Sequence, residues 1–155
     1  MDIVICPTCG KKNRTPPDAT GIPRCGNCHS ALPWIVDADD NTFKAVADRS
    51  TIPVLVDLWA SWCGPCRQVS PVLERLTQER AGLVKLVKVD IDRSPQTARR
   101  FAVQAVPTLV VLNEGELVAE QTGAAPASVL AEWLDTALAS IADLPDESVG
   151  QKIRK

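Results

Sequence analysis

From Leu32 onward, apolar runs alternate with segments of helical period. Leu32 to Val36 predicts a short strand, and Asp39, Asp40 or Asn41 can cap a helix carrying Phe43, Val46 and Ala47 to about Arg49. Pro53 to Ala60 predicts a strand buried on both faces, as in a parallel sheet. A helix from about Cys63 sets Val69, Val72, Leu73 and Leu76 on its inner side, with a kink expected where Pro71 removes a backbone donor. Leu83 to Ile91 predicts a second strong strand, Ser94-Pro95 opens a short helix through Phe101, and Thr108 to Leu112 predicts a third strand. Glu114-Gly115 is a hairpin turn into Leu117 to Gln121, and Ala127 to Ile141 closes as a helix with Val129, Leu130, Trp133, Leu134 and Leu138 at the 3.6 period. This order predicts an α/β fold, a central mixed and mainly parallel sheet with helices on both faces.

Length and composition narrow the picture. The 155 residues allow one ordinary domain plus a small appendage. With 45% hydrophobic and 23% charged residues, a packed core is expected. A net charge of -2 offers no field for a polyanion, so no nucleic-acid partner is expected. No stretch reaches the ~20 apolar residues that span a bilayer, so no membrane partner is expected either. Met1 to Cys6 has no basic region leading into an apolar one, and the expected location is therefore cytoplasmic. In a reducing compartment, the six cysteines are poor candidates for a structural disulfide framework.

The first thirty residues are polar and punctuated by Pro and Gly, with too few large apolar residues for a core of their own. A fold below ~40 residues usually needs a metal or disulfides. Cys6, Cys9, Cys25 and Cys28 form a C-x2-C-x15-C-x2-C pattern, which points to Zn2+ held tetrahedrally by four cysteines. Two cysteines flanking a tight turn aim both sulfurs at one ion, and Gly10 and Gly26 are expected to permit that turn. Four thiolates close the site, so its role is structural, and the oxidisable ligands are compatible with redox sensing. The competing arrangement is two labile disulfides. His29 is expected at the surface and Trp34 at the junction with the main domain. The expected division is a zinc-binding module over 1–30, resembling a zinc ribbon, a main domain over 31–141 and a polar C-terminal tail over 142–155.

The third pair has different surroundings. Trp62-Cys63-Gly64-Pro65-Cys66 follows a strand and opens a helix, where unpaired N–H groups and the helix dipole favour a thiolate. The Cys63 pKa should fall below the free value of ~8.5. Cys63, nearest the terminus, is expected to be the exposed attacking sulfur. Cys66, one turn further in, is expected to be more buried and to act second. Gly64 and Pro65 leave room for a partner chain. Reading this pair as half of a metal site would require two further ligands, and His29 is the chain's one histidine. Asp57 interrupts the apolar run Val54 to Trp59, and burial there predicts a carboxyl pKa above ~3.9.

Trp62 to Cys66 after Val56-Asp57-Leu58-Trp59-Ala60-Ser61, with Val106-Pro107-Thr108 downstream, closely resembles the thioredoxin family over about Trp34 to Ile141. With the N-terminal cysteine pairs added, the chain is similar to the bacterial thioredoxin-2 class. The resemblance implies a thioredoxin fold and protein-disulfide reductase activity through a mixed disulfide on disulfide-containing protein substrates. It makes Asp57 the buried carboxylate that assists deprotonation of Cys66, and Lys88 its accompanying lysine. It implies a cis peptide before Pro107, and a shallow groove of Trp62, Gly64, Pro65, Val106, Pro107, Gly123 and Ala124 for an extended peptide. Re-reduction would come from thioredoxin reductase, an NADPH-dependent flavoprotein. Leu58, where many members carry an aromatic residue, and the absence of tyrosine depart from the family without touching the reacting atoms. Two other functions compete: an oxidase or isomerase running in reverse, and a zinc-ribbon module whose main domain only docks partners. The Gly64-Pro65 dipeptide resembles the reducing members, and Cys63, Cys66, Asp57 and Pro107 together argue against mere docking.

Overall fold

β4 (Val54–Trp59) lies at the centre of a five-stranded sheet. A computed structural model describes residues 2–19 and 21–143, so the expected tail from 144 onward lies outside the described residues. Before β4 come the ribbon strands β1 (Asp2–Ile5) and β2 (Lys12–Thr15), then β3 (Ile35–Ala38). After it come α1 (Gly64–Glu79), β5 (Lys85–Asp90), α2 (Pro95–Arg100), β6 (Thr108–Asn113), β7 (Glu116–Thr122) and α3 (Ala127–Ala142). The sheet order is β3-β5-β4-β6-β7, with β3, β5 and β4 parallel and β6 and β7 antiparallel. This is the mixed, helix-flanked α/β sheet the sequence predicts.

Strand alternation sorts the core into two layers. Val54, Val56 and Leu58 pack with Val87, Val89, Val110 and Leu112 under Trp34, Phe43 and Val46. Leu55, Leu86, Leu109 and Val111 pack on the opposite face under α1 and α3, through Val69, Leu73, Leu76, Leu130 and Leu134. Asp57 shares the face of Leu55, so the chain delivers one carboxylate into the layer beneath α1. Arg80 ties the two helices of that layer together with bonds of 2.7 and 2.9 Å to the Asp135 carboxylate.

Several boundaries differ from the sequence expectation. β3 starts at Ile35 rather than Leu32, because Leu32 packs with Cys6 and Cys25. The helix expected from about Asp39 to Arg49 is a short wide turn, Lys44–Asp48. Asp39 is spent ahead of it, accepting the N–H groups of Asn41 and Thr42 at 2.9 and 3.0 Å. Asp40 caps α2 from a distance instead, accepting from Thr97 N–H at 2.8 Å and Gln96 N–H at 3.0 Å. α1 runs on through Pro71. The β6–β7 turn takes left-handed backbone at Glu114 and Gly115, with φ of 50° and 84°, the geometry that suits a two-residue hairpin.

The N-terminal segment is held against the sheet. Gly82 (φ 84°) lies where an added Cβ would sit 2.9 Å from the Ala31 Cβ, and Ala19 packs on the Trp34 layer. Lys85 is fully buried beneath this contact. Its Nζ donates to the Val46 carbonyl at 2.6 Å and to the Pro17 carbonyl, and sits 3.9 Å from the centroid of the Trp34 ring. Burial pushes the Lys85 pKa down to about 8, partly offset by Asp18. The unfolded chain therefore holds this proton more tightly than the folded one between about pH 8 and the ordinary value near 10.5, and folding gains stability as pH rises through that window. Unfolding free energies of wild type and Lys85→Met should diverge in favour of wild type from pH 8 to 10. A constant difference would show a water-solvated ammonium.

Candidate functional site

Pro65 in the first turn starts α1, with Cys63 as its N-cap in extended backbone (φ −88°, ψ 109°). The Cys63 Sγ accepts the Cys66 N–H at 3.1 Å, one of the orphan donors of the helix end. Cys63 and Cys66 are joined as a disulfide. Together with Ala60 they form a small apolar cluster closed by Trp59, Ile91 and Val106. The Cys63 sulfur lies 3.6 Å from the Val106 carbonyl oxygen, and Val106–Pro107 is cis. The Gly123 N–H donates to the Pro107 carbonyl at 2.8 Å, bringing the loop of Gly123 and exposed Ala124 to the same rim. Trp62 is 68% exposed and anchored by its Nε1, which donates to Asp92 at 2.9 Å. Gly64 and Pro65 are exposed on the first turn.

One expectation fails here. Cys63 and Cys66 are equally buried, at 3% and 2% exposure, so accessibility does not separate them. The disulfide is tucked against Val106 and Ile91, and the asymmetry lies in the amide: the N–H points from Cys66 to the Cys63 sulfur.

Asp57 is fully buried, and Ser70 Oγ donates to its Oδ2 at 3.0 Å. Its Oδ1 has no partner among the described residues. Burial raises the Asp57 pKa to about 6, against the opposing pull of Ser70 and Lys88, with Glu74 adding to the rise. Lys88 stands opposite Asp57 in the β4–β5 register. Cys66, Ser70, Lys88 and Trp59 line a cleft of about 360 Å³. Sequence reasoning passed over Ser70, Ile91 and Asp92. Ser70 carries a legible signal, because it lies four residues after Cys66 on the same face of a helix. The other two come from the loop after β5 and carry none.

The second constellation is at the N-terminus. The sulfurs of Cys6, Cys9, Cys25 and Cys28 all lie within 4.8 Å of one another. The pairs Cys6–Cys28 and Cys9–Cys25 are 3.5 Å apart, against an edge of about 3.8 Å for a tetrahedron with 2.3 Å metal–sulfur bonds. Four soft donors at this spacing can hold a metal ion. Asn27 N–H donates to Cys25 Sγ at 3.4 Å, Asn27 Nδ2 to Cys9 Sγ at 3.5 Å and Asn13 Nδ2 to Cys25 Sγ at 3.5 Å. The Cys28 amide leads the groups that pull the Cys25 thiol down to about 5, and Ser30 lowers Cys28. The two cysteine loops repeat one geometry: Gly10 N–H donates to Cys6 O and His29 N–H to Cys25 O, both at 2.9 Å. Gly10 takes φ 80° as expected, but its counterpart is His29 at φ 65° rather than Gly26. His29 is exposed and outside the sulfur group, and Trp34 is buried at 1% exposure beside the docked segment.

The sequence model of the Thioredoxin family matches residues 33–136. Thioredoxin C-3 of Corynebacterium nephridii is 36% identical over 139 residues, covering 88% of this chain and 95% of that protein. That span is too long to fit within residues 33–155, so the likeness reaches into the N-terminal segment. Thioredoxin C-2 of the same organism is 46% identical over 101 residues, covering 65% of this chain and 94% of its own. The thioredoxin of Bacillus subtilis is 43% identical over 101 residues, covering 65% and 95%. Among the described residues, no helix is long and apolar enough to cross a membrane.

Proposed function

The chain belongs to the thioredoxin family of thiol–disulfide oxidoreductases, and on that footing we propose how its residues divide the reduction of protein disulfides. The observation that carries the reading is the Cys63–Cys66 disulfide at the start of α1, with a helix-end amide aimed at Cys63. In the reduced protein that amide stabilises the Cys63 thiolate. The thiolate attacks a substrate disulfide, forming one S–S bond as the substrate's own breaks and one substrate sulfur leaves as thiolate. Asp57 accepts the Cys66 proton, and Cys66 sulfur displaces the second substrate sulfur from Cys63. Lys88 supports the ionised Asp57 from the neighbouring strand.

Trp62, Gly64, Pro65, Val106, Pro107, Gly123 and Ala124 form the groove that receives an extended peptide segment around Cys63. The resulting disulfide is re-reduced by an NADPH-dependent thioredoxin reductase, and the protein works in the cytoplasm. Residues 1–30 form a module in which Cys6, Cys9, Cys25 and Cys28 hold Zn2+. With four thiolates around it, the ion has no open position and supplies structural rather than hydrolytic chemistry. Insulin-disulfide reduction coupled to NADPH through a thioredoxin reductase tests the reading. Turnover that matches the dithiol background of a peptide control would sink it.

Asp57→Asn gives a separate expectation. Loss of a general base should slow resolution of the mixed disulfide by about a hundredfold at neutral pH. A carboxyl whose folded pKa is about 6 favours folding only while protonated, and that contribution is lost as pH rises from about 4 through 6. The substitution removes a buried charge above that range, so Asp57→Asn should raise the unfolding free energy at pH 7 by about 2 kcal/mol. Slower resolution together with a higher Tm supports the assignment, whereas unchanged turnover with a lower Tm would make Asp57 structural.

A further inference from the structure

α1 presents Cys66 and Ser70 one turn apart on the face that covers Asp57, with Glu74 one turn beyond. A serine inside a helix commonly turns its hydroxyl back to the carbonyl four residues earlier. Ser70 instead donates to Asp57 Oδ2 at 3.0 Å, the one hydrogen bond the carboxylate receives from a described residue. Ser70 is half-buried and, with Cys66 and Lys88, lines the cleft of about 360 Å³.

We infer that Ser70 is a positioning residue for disulfide reduction: its hydroxyl pins one oxygen of Asp57, strengthens that acid and leaves Oδ1 as the atom that takes the Cys66 proton. The inference rests on Asp57 being the base in the mechanism above. The charged groups facing Asp57 are Lys88 from β5 and Glu74 from α1, while β6 places only Leu109 opposite it. Lys88 and Ser70 are both partly exposed, but Ser70 donates directly to the carboxylate at 3.0 Å, whereas Lys88 acts on it through its charge, which water screens. In the resolving step the Cys66 S–H bond breaks and its proton goes to Oδ1. The sulfur's electron pair forms the bond to Cys63 Sγ, and the substrate sulfur leaves with the pair of the mixed disulfide. A carboxyl that titrates near pH 6 is ionised at neutral pH, and one that titrates a unit higher is only half ionised there.

The test titrates the Asp57 carboxyl by carbon-13 NMR in the oxidised full chain, for wild type, Ser70→Ala and Ser70→Thr. The pH dependence of mixed-disulfide resolution is measured beside it, with Asp57→Asn as reference. Ser70→Ala should move the Asp57 midpoint up by about one pH unit, the effect of losing a hydrogen bond to a charged group. Resolution should be slowed about twofold at pH 7 and up to tenfold below pH 6, with the deficit closing as pH rises above 8. Ser70→Thr, which keeps the hydroxyl, should restore both midpoint and profile. An unmoved midpoint in Ser70→Ala, or a shift that Thr fails to restore, overturns the inference alone. A shifted midpoint with an Asp57→Asn profile identical to wild type overturns the Asp57 reading, and the inference falls with it.

Discussion

Cys66→Ser should attack a substrate disulfide once and then remain joined to it through Cys63. The serine hydroxyl, with a far higher pKa than a thiol, is no thiol-exchange nucleophile, so the mixed disulfide has no internal exit. Cys63→Ser should lose insulin-disulfide reduction by at least about a thousandfold, because the thiolate stabilised at the helix end is gone. Mass spectrometry under non-reducing conditions should find one covalent adduct per chain on Cys66→Ser, located at Cys63. The two sulfurs are equally buried in the disulfide, so this asymmetry does not come from exposure. It comes from the Cys66 N–H, which lies 3.1 Å from Cys63 Sγ and favours negative charge there. An adduct that forms on Cys66 in the Cys63→Ser protein at the wild-type rate would reverse the two roles.

The long periodic elements were legible because each is specified locally. The run around Leu55 has the length and β-branched content of a doubly buried strand, and Val69, Leu73 and Leu76 have the spacing of a helix face. Asp57 stood out because a carboxylate inside such a run must be buried, and burial sets the upward direction of its pKa, to about 6, which Ser70 and Lys88 only partly oppose. Features decided by distant partners were not legible. Leu32 reads as strand, yet it belongs to the cysteine cluster. Asp40 reads as a cap for its own helix but caps α2, more than fifty residues away. β1 and β2 escaped notice because their pairing is with each other alone, with Ile3 and Ile5 each 63% exposed on the outer face. Nothing local in the Leu83 to Ile91 run marks Lys85 as buried; the Val46 carbonyl, the Trp34 ring and the docked N-terminal segment enclose it together.

Removing zinc from the four-cysteine site should unfold mainly residues 1–30 while leaving the five-stranded sheet folded. The segment's own core consists of Cys6, Cys25 and Leu32 with Val4 and Cys28 beside them, and three of those five belong to the four-cysteine group that can hold a metal. A two-stranded ribbon with so little apolar burial is marginal in water. Structural zinc sites contribute on the order of 10 kcal/mol to folding in small metal-held domains, so zinc bound at these four cysteines would supply most of what holds the segment. The sheet has two apolar layers that do not involve these sulfurs, and it should survive. It should not be untouched: withdrawal frees the Pro17 carbonyl from Lys85 and uncovers Trp34, which is 1% exposed when the segment is docked. Chelation under reducing conditions, or Cys25→Ser, should therefore abolish hydrogen-exchange protection in β1 and β2 and red-shift the Trp34 emission. Disulfide reduction should persist to within about threefold, because Cys63, Asp57 and Val106 are all placed by the sheet and α1. The metal is counted by elemental analysis of the purified chain, with zinc expected at one per chain. A metal-free protein that keeps β1 and β2 protected would show that the ribbon is held by packing instead, and loss of reduction in parallel with metal would mean that the segment takes part in the active site.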